Sequence, residues 1–502
     1  MIKKRPAILL LLILSAASLA TANVIYVDSN SPGDPGAGTL EDPYRRIQAA
    51  LDAADGADTV LIRPGIYTGA GNYNLDPQGK SIIISSIDPN DPDVTALTII
   101  DADAQGRGFY IHRGEDANCI LSGLTIKNAY TAEIGAGIYC ETGNPTIINC
   151  SLINNHTGPE GYGGAVFCVE SNSLFINCTI RGNSALDGGG VSIRAGYPQM
   201  INCIISNNHA GRYGGGVDCL YAGNPNIVNC SLISNTAGPS GAGGAISLCD
   251  SNVSIKNSIL WANDAENGKQ LYLYPGSSIV VSYCDVQGGI PDVCFVNSDL
   301  IWGPGNINTD PCFAVFDPNN DPNVWDFHLL SRAGRWACDL YPAVDITQNG
   351  FVDLRDFAVL AGLWLQEGIG LPADLDNSNK VDLLDLKIML NEYLVTQPKG
   401  VWIKDNTSSP CIDAGSPDSV WSSEPWPNGK RINMGAYGGT PKASKNGLET
   451  DFDADGFVNF EDFSYLATNW GLQQRCIEDL DGNAVVNLVD FFEFCTWWLE
   501  QF

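Results

Sequence analysis

Near the C-terminus, oxygen-bearing side chains recur at a spacing that could hold a hard cation. Asp451, Asp453, Asp455, Asn459 and Asp462 stand at places one, three, five, nine and twelve of one loop, and Phe457 adds a backbone carbonyl at place seven. The alternation lets successive oxygens converge on one ion, and Gly456 at place six permits the sharp turn. A second loop repeats the register with Asp479, Asp481, Asn483, Asn487 and Asp490, Val485 giving the carbonyl and Ala484 replacing the turn glycine. Both loops predict bound Ca2+. An apolar helix, Phe463 to Trp470, is expected directly after the first.

The same plan occurs earlier in the chain. One loop carries Asp345, Asn349, Asp353 and Asp356 with the carbonyl of Phe351, but Thr347 stands where a carboxylate is expected. The next carries Asp374, Asp376, Ser378, Asp382 and Asp385 with the carbonyl of Lys380. Fewer charged ligands predict weaker calcium for this earlier pair. Two tandem loop-plus-helix units with aspartate at place twelve resemble a type I dockerin, an EF-hand-like module. The resemblance implies calcium binding and docking onto a cohesin-like protein. The pairs at places ten and eleven (Leu354-Arg355, Leu383-Leu384, Phe460-Glu461 and Leu488-Val489) depart from the small hydroxyl pairs of cellulosomal dockerins.

A second chemistry would need carboxylates and Arg or Lys gathered on one face for general acid–base work. Aligning the glycine-rich strands of the middle region puts Glu141 and Arg194 in one column, two coils apart. Asp218 falls one position over, with Glu170 and Asp250 nearby. The alignment shows no tight aspartate pair, and His156 and His209 read as turn residues. The expectation therefore leans to a non-catalytic scaffold, with a polysaccharide lyase or glycoside hydrolase as the alternative.

These residues must be positioned by a repeat. Ile147-Ile148-Asn149-Cys150 returns as Phe175-Ile176-Asn177-Cys178, Met200-Ile201-Asn202-Cys203 and Ile227-Val228-Asn229-Cys230, and Asn257 continues the series without the cysteine. The asparagines fall 28, 25, 27 and 28 residues apart. Such a period marks a solenoid, and three short β-prone runs per unit, split by Gly, Asn and Pro, exclude helical repeats. Stacking at about 4.8 Å makes a parallel β-helix. Asn149, Asn177, Asn202, Asn229 and Asn257 are expected to form an inward ladder. Cys150, Cys178, Cys203 and Cys230 would stack beside it as small hydrophobes, at a spacing that also lies in disulfide range.

The opening, Ile25-Tyr26-Val27-Asp28, then Pro43 to Leu51 as a capping helix, then Asp58 to Tyr67, resembles pectate-lyase-like right-handed β-helix proteins. The resemblance implies a right-handed parallel β-helix and a polysaccharide context. Ser409 to Pro417 and Gly429 to Pro441 resemble the closing segment of large secreted bacterial β-helix proteins of planctomycete type. The expected organisation is a signal peptide (1–22), the β-helix (23–335), an inserted dockerin-like module (342–396), the closing segment (401–445) and a C-terminal dockerin-like module (450–502). Lys3 to Arg5, the apolar run Ile8 to Leu14 and Ala20-Thr21-Ala22 carry the export reading, with an extracellular or cell-surface address. No later run is long enough to span a bilayer. A net charge of −30 argues against nucleic acid and fits carboxylate-rich metal loops.

Overall fold

The computed structural model describes residues 22–338, 354–366, 400–446 and 460–470, with shorter stretches and single positions at 371, 373, 375, 380–382, 385–386, 485–488, 490–491 and 494–495. Residues 24–302 wind as a right-handed parallel β-solenoid of about nine turns. One coil shows the plan: Thr146–Ile148, Ser151–Ile153, His156–Thr157 and Val166–Val169 follow in order, each joining a different sheet. The four sheets hold eleven, nine, five and eight strands respectively. Inward positions alternate with outward ones as strands require. Ile147, Leu152 and Val166 fill the interior, which runs as one apolar core from Val27 to Val293. At its entry the helix Ile47–Ala53 buries Ile47, Ala50 and Leu51 against the first strands. No helix among the described residues is long and apolar enough to cross a membrane.

The inward ladder is made by different asparagines from those expected. Asn149, Asn177, Asn202, Asn229 and Asn257 hold φ between 51° and 55° at the corner between the first two strands of each coil. Asparagine tolerates this left-handed conformation better than most residues. The bend points the following cysteine into the core and leaves the asparagine at the turn, exposed at Asn177 and covered only where other segments pack on it. The buried ladder is Asn155, Asn183, Asn208, Asn235 and Asn263, one corner further on. Each of the first four donates from Nδ2 to the next Oδ1 at 2.9–3.0 Å.

Cys150, Cys178, Cys203 and Cys230 are buried and unbridged. Burial pushes the Cys150 thiol up to about 12, so it behaves as packing rather than as a nucleophile. After the third corner the chain passes through stacked glycines. At Gly214 φ is +63°, and a Cβ there would lie 2.4 Å from the Val217 carbonyl oxygen, so no other residue fits.

Past Trp302 the architecture changes. Arg335–Cys338 pairs antiparallel with Gly400–Ile403, so the chain leaves and re-enters at adjacent strands. Residues 400–446 then lie along the solenoid. Asn257 Nδ2 donates to Ser419 Oγ, Asn257 Oδ1 accepts from the Ser416 amide, and Ser231 Oγ accepts from the Ala436 amide.

Candidate functional site

The outward face of the eight-stranded sheet carries Glu141, Arg194 and Asp218. Its register stacks Tyr110, Tyr139, Phe167, Ser192, Asp218 and Ser247 in one column. Two positions along, Glu141, Val169 and Arg194 form a second column. Across the glycine corner a third column stacks Tyr162, Asp187 and Tyr213. The first column is covered: Ser192 and Asp218 are no more than 1 % exposed. Arg194 reaches over it, its guanidinium carbon 4.1 Å from the Tyr162 ring centre and 5.4 Å from that of Phe167.

Beneath that arginine lies a carboxylate pair. Asp187 is 2 % exposed and takes a two-pronged bond from Arg212, Nε to Oδ1 at 2.9 Å and Nη2 to Oδ2 at 2.5 Å. Such a fork fixes the Asp187 carboxyl group in place. Asp218 has no such partner. Burial pushes its carboxyl well above the usual range, and the negative charge of Asp187 pushes it further, against Arg194, Arg212 and a bond from Ser247. Asp218 Oδ2, Ser192 Oγ and Arg194 Nε are all buried without a hydrogen-bond partner. Two neighbouring carboxyl groups in different environments, one raised by burial and one bound to arginine, can divide general acid and base roles.

The strand alignment shows no tight aspartate pair; in the fold Asp187 comes near enough for its charge to bear on Asp218. Asp187 lies beyond the glycine-rich strand, immediately before Gly188, and reaches Asp218 only because the corner folds it over the sheet. Aspartate before a glycine run, where neighbouring coils carry Tyr162 and Tyr213, was the available signal. Of the candidates, the structure brings Arg194 and Asp218 together. Glu141 remains two coils from Arg194 and instead accepts a 3.4 Å bond from the Tyr110 hydroxyl. Glu170 and Asp250 are exposed at left-handed turns, with φ of 50° and 48°, and do not converge on Asp218. His156 and His209 bond the neighbouring coil through Ser184 Oγ and Thr236 Oγ1.

The titration of Asp218 has a consequence for stability. Its carboxyl is raised in the fold above the ordinary aspartate value of 3.8, so it contributes stability that is complete below pH 3.8 and lost as pH rises through the folded value. Asp218→Asn mimics the protonated form. The variant should match the parent in thermal unfolding near pH 3.5 and melt several degrees higher at pH 8. A pH-independent difference would mean that Asp218 does not titrate abnormally.

Around the pair runs a band of rings and arginines. Tyr110 stacks on His112 at 3.8 Å and on Tyr139 at 5.1 Å, with Arg107 over both tyrosines. Tyr139 meets Phe167 at 5.6 Å. Arg212 lies 4.8 Å over Tyr213, which meets Tyr274 at 5.5 Å, and Tyr274 meets Tyr272 at 4.7 Å. Aromatic faces and guanidinium groups thus follow one another from coil to coil along the solenoid axis.

Of the loop residues, Asp451, Asp453, Asp455, Phe457, Asn459, Asp479, Asp481, Asn483, Asp345, Asn349, Phe351, Asp353, Asp374, Asp376 and Ser378 lie outside the described residues, and Asp356 is described only as part of the helix Leu354–Gly362. The carboxylates at the twelfth places are fully buried at Asp385, Asp462 and Asp490. Asp385 accepts from the amides of Leu375 at 2.6 Å and Asp382 at 2.8 Å, and Asp490 from that of Asn487 at 2.7 Å. In the latter loop Asn487 Nδ2 donates to the carbonyl of Val485. Lys380 precedes Val381, whose amide and carbonyl bond Gln366 and Leu365, just past the helix Leu354–Gly362. Phe463 packs on Phe491 and Phe494.

Residues 84–240 match the family described as right handed beta helix region. A solved pectate lyase, Pel9A, is similar at 14% identity over 84% of this chain and 97% of that one, with a TM-score of 0.41. No curated protein matches the sequence.

Proposed function

We propose that the protein is exported, and that its solenoid binds an acidic extracellular polysaccharide lengthwise along the band of tyrosines and arginines. The observation that carries this reading is the band itself. In a chain of net charge −30, Arg107, Arg194 and Arg212 share one face, each laid on an aromatic ring. Rings offer platforms for the apolar faces of sugars, and the guanidinium of Arg194, which makes no ion pair among the described residues, suits a carboxylate. Stacked coils repeat these groups along the axis, as a linear polymer would require. The dockerin-like modules would bind Ca2+ and assemble the scaffold with a cohesin-like partner at the cell surface or in the medium. The buried carboxylates at Asp385, Asp462 and Asp490 suit loops that close on a cation.

Affinity electrophoresis in gels containing polygalacturonate, alginate, xylan or dextran tests the reading. The two acidic polymers should retard the protein and the neutral ones should not. Arg107→Gln and Arg194→Gln should each weaken retardation about tenfold, the scale of one charge-assisted bond. Equal retardation by neutral polymers, or none by any, would refute it. The carboxyl pair supports a second reading, a glycoside hydrolase with Asp218 as acid and Asp187 as base. Reducing ends released from a polymer by the parent protein, and not by Asp218→Ala, would select it.

A further inference from the structure

A separate groove lies at the corner between the eleven- and nine-stranded sheets, away from the aromatic band. Its volume is about 470 Å³, within the range of small-ligand sites. The floor is the outward asparagine ladder with the hydroxyls of Ser151 and Thr179 beside it. One wall is the excursion Pro89 to Thr95, and the other is the strap Ala436 to Lys442, which arrives from more than two hundred residues downstream. Each wall is tied to the ladder. Asn149 Nδ2 donates to Asn90 Oδ1 at 3.2 Å, and Asn202 Nδ2 donates to the carbonyls of Ala436 and Gly438 at 2.9 and 2.7 Å.

The ladder is interrupted inside the groove. Asn177 Nδ2 donates to Asn149 Oδ1 at 3.1 Å, but Asn202 has turned to the strap, so nothing donates to Asn177 Oδ1. An exposed amide therefore offers both an acceptor and a spare donor at the middle of the floor. Lys442 lines the wall, and its ammonium makes no ion pair among the described residues, in a chain with 57 acidic side chains and 27 basic ones.

We propose that this groove binds a short saccharide bearing one carboxylate, a single uronic acid unit or a disaccharide ending in one. An amide that both donates and accepts suits vicinal hydroxyls, which do the same. Pro89, Pro92, Ile204 and Pro441 supply apolar surface for the carbon face of the ring. Lys442 supplies the cation for the carboxylate. Walls at both ends admit one or two rings and exclude a polymer running through, so the site differs in ligand length from the band on the other sheet.

Titration calorimetry and saturation-transfer NMR with glucuronic acid, glucose and inorganic phosphate test it on the full chain. Glucuronic acid should bind, glucose about tenfold more weakly, and phosphate not measurably. Asn177→Ala should weaken both sugars about tenfold, whereas Lys442→Met should reduce glucuronic acid to the level of glucose. Arg45→Gln, exposed at the entry of the solenoid and outside both surfaces, should leave all three unchanged. Asn177 and Lys442 are not core residues, so an unchanged circular-dichroism spectrum is expected for both variants. Absence of sugar binding, phosphate binding as tight as glucuronic acid, or an Asn177→Ala variant that binds like the parent would each overturn the assignment.

Discussion

Asn208→Ala should destabilise the solenoid by about 3–6 kcal/mol, whereas Asn177→Ala should cost less than about 1 kcal/mol. Both are asparagines that recur once in every coil, so composition does not separate them. Asn208 Nδ2 donates to the Ile180 carbonyl and to Asn235 Oδ1, both at 2.9 Å. Its Oδ1 accepts from the Asn183 amide at 3.0 Å and from Asn183 Nδ2 at 2.9 Å. Alanine strands the Ile180 carbonyl and two Asn183 donors in a corner that is fully buried. Each orphaned buried group costs about 1–3 kcal/mol, and the void left by the amide adds to that. Asn177 faces water, which replaces what the substitution removes. Urea unfolding followed by circular dichroism measures both. Similar losses for the two variants would mean that the buried ladder adds no stability beyond the apolar core.

That contrast shows how far the repeat can be read from the chain. The period of Asn149, Asn177, Asn202 and Asn229 reveals coils and their spacing, because like residues must stack upon like. It does not reveal which asparagine faces inward. That depends on the left-handed φ at the first asparagine of each coil, a backbone choice that rotates the following cysteine inward and the amide outward. Asn155 and Asn183 look like ordinary turn residues in the sequence, yet their amides carry the buried ladder.

The candidate site divides in the same way. Arg194 and Asp218 are legible in the sequence because both lie on strands whose register follows the glycine pattern. Asp187 was not, because it lies past a corner whose path over the sheet is set by Gly188 to Gly190, and no periodic pattern encodes that path. Glu141 occupies its expected column, but two coils is too far for an ion pair with Arg194 when Val169 stands between them. Sequence columns report alignment along the axis; contact across a corner depends on how the glycines fold.

Chelating calcium should abolish the helical signal of the loop-bearing segments and leave the solenoid folded. The solenoid interior from Val27 to Val293 is apolar and is closed by its own backbone ladders, so it needs no ion. The loops differ in kind. Asp462 and Asp490 are fully buried, and Asp490 is aimed by the Asn487 amide. Asp451, Asp453 and Asp455 add three more carboxylates within one twelve-residue loop. A bound cation would offset that repulsion, and because no such site exists in the unfolded chain, its binding energy would be folding energy. Asp490→Ala removes a ligand outright and should weaken calcium at its loop by about a hundredfold or more, the upper end of what loss of a supporting group costs. The earlier pair, with Thr347 in place of a carboxylate, should fill at higher calcium. Calorimetric titration of the full chain should therefore show two classes of site, with Asp490→Ala diminishing only the tighter. Far-UV circular dichroism in chelator should show the solenoid unchanged. A solenoid that melts when calcium is removed would place an ion inside the coils instead, and a flat titration would remove calcium from the function altogether.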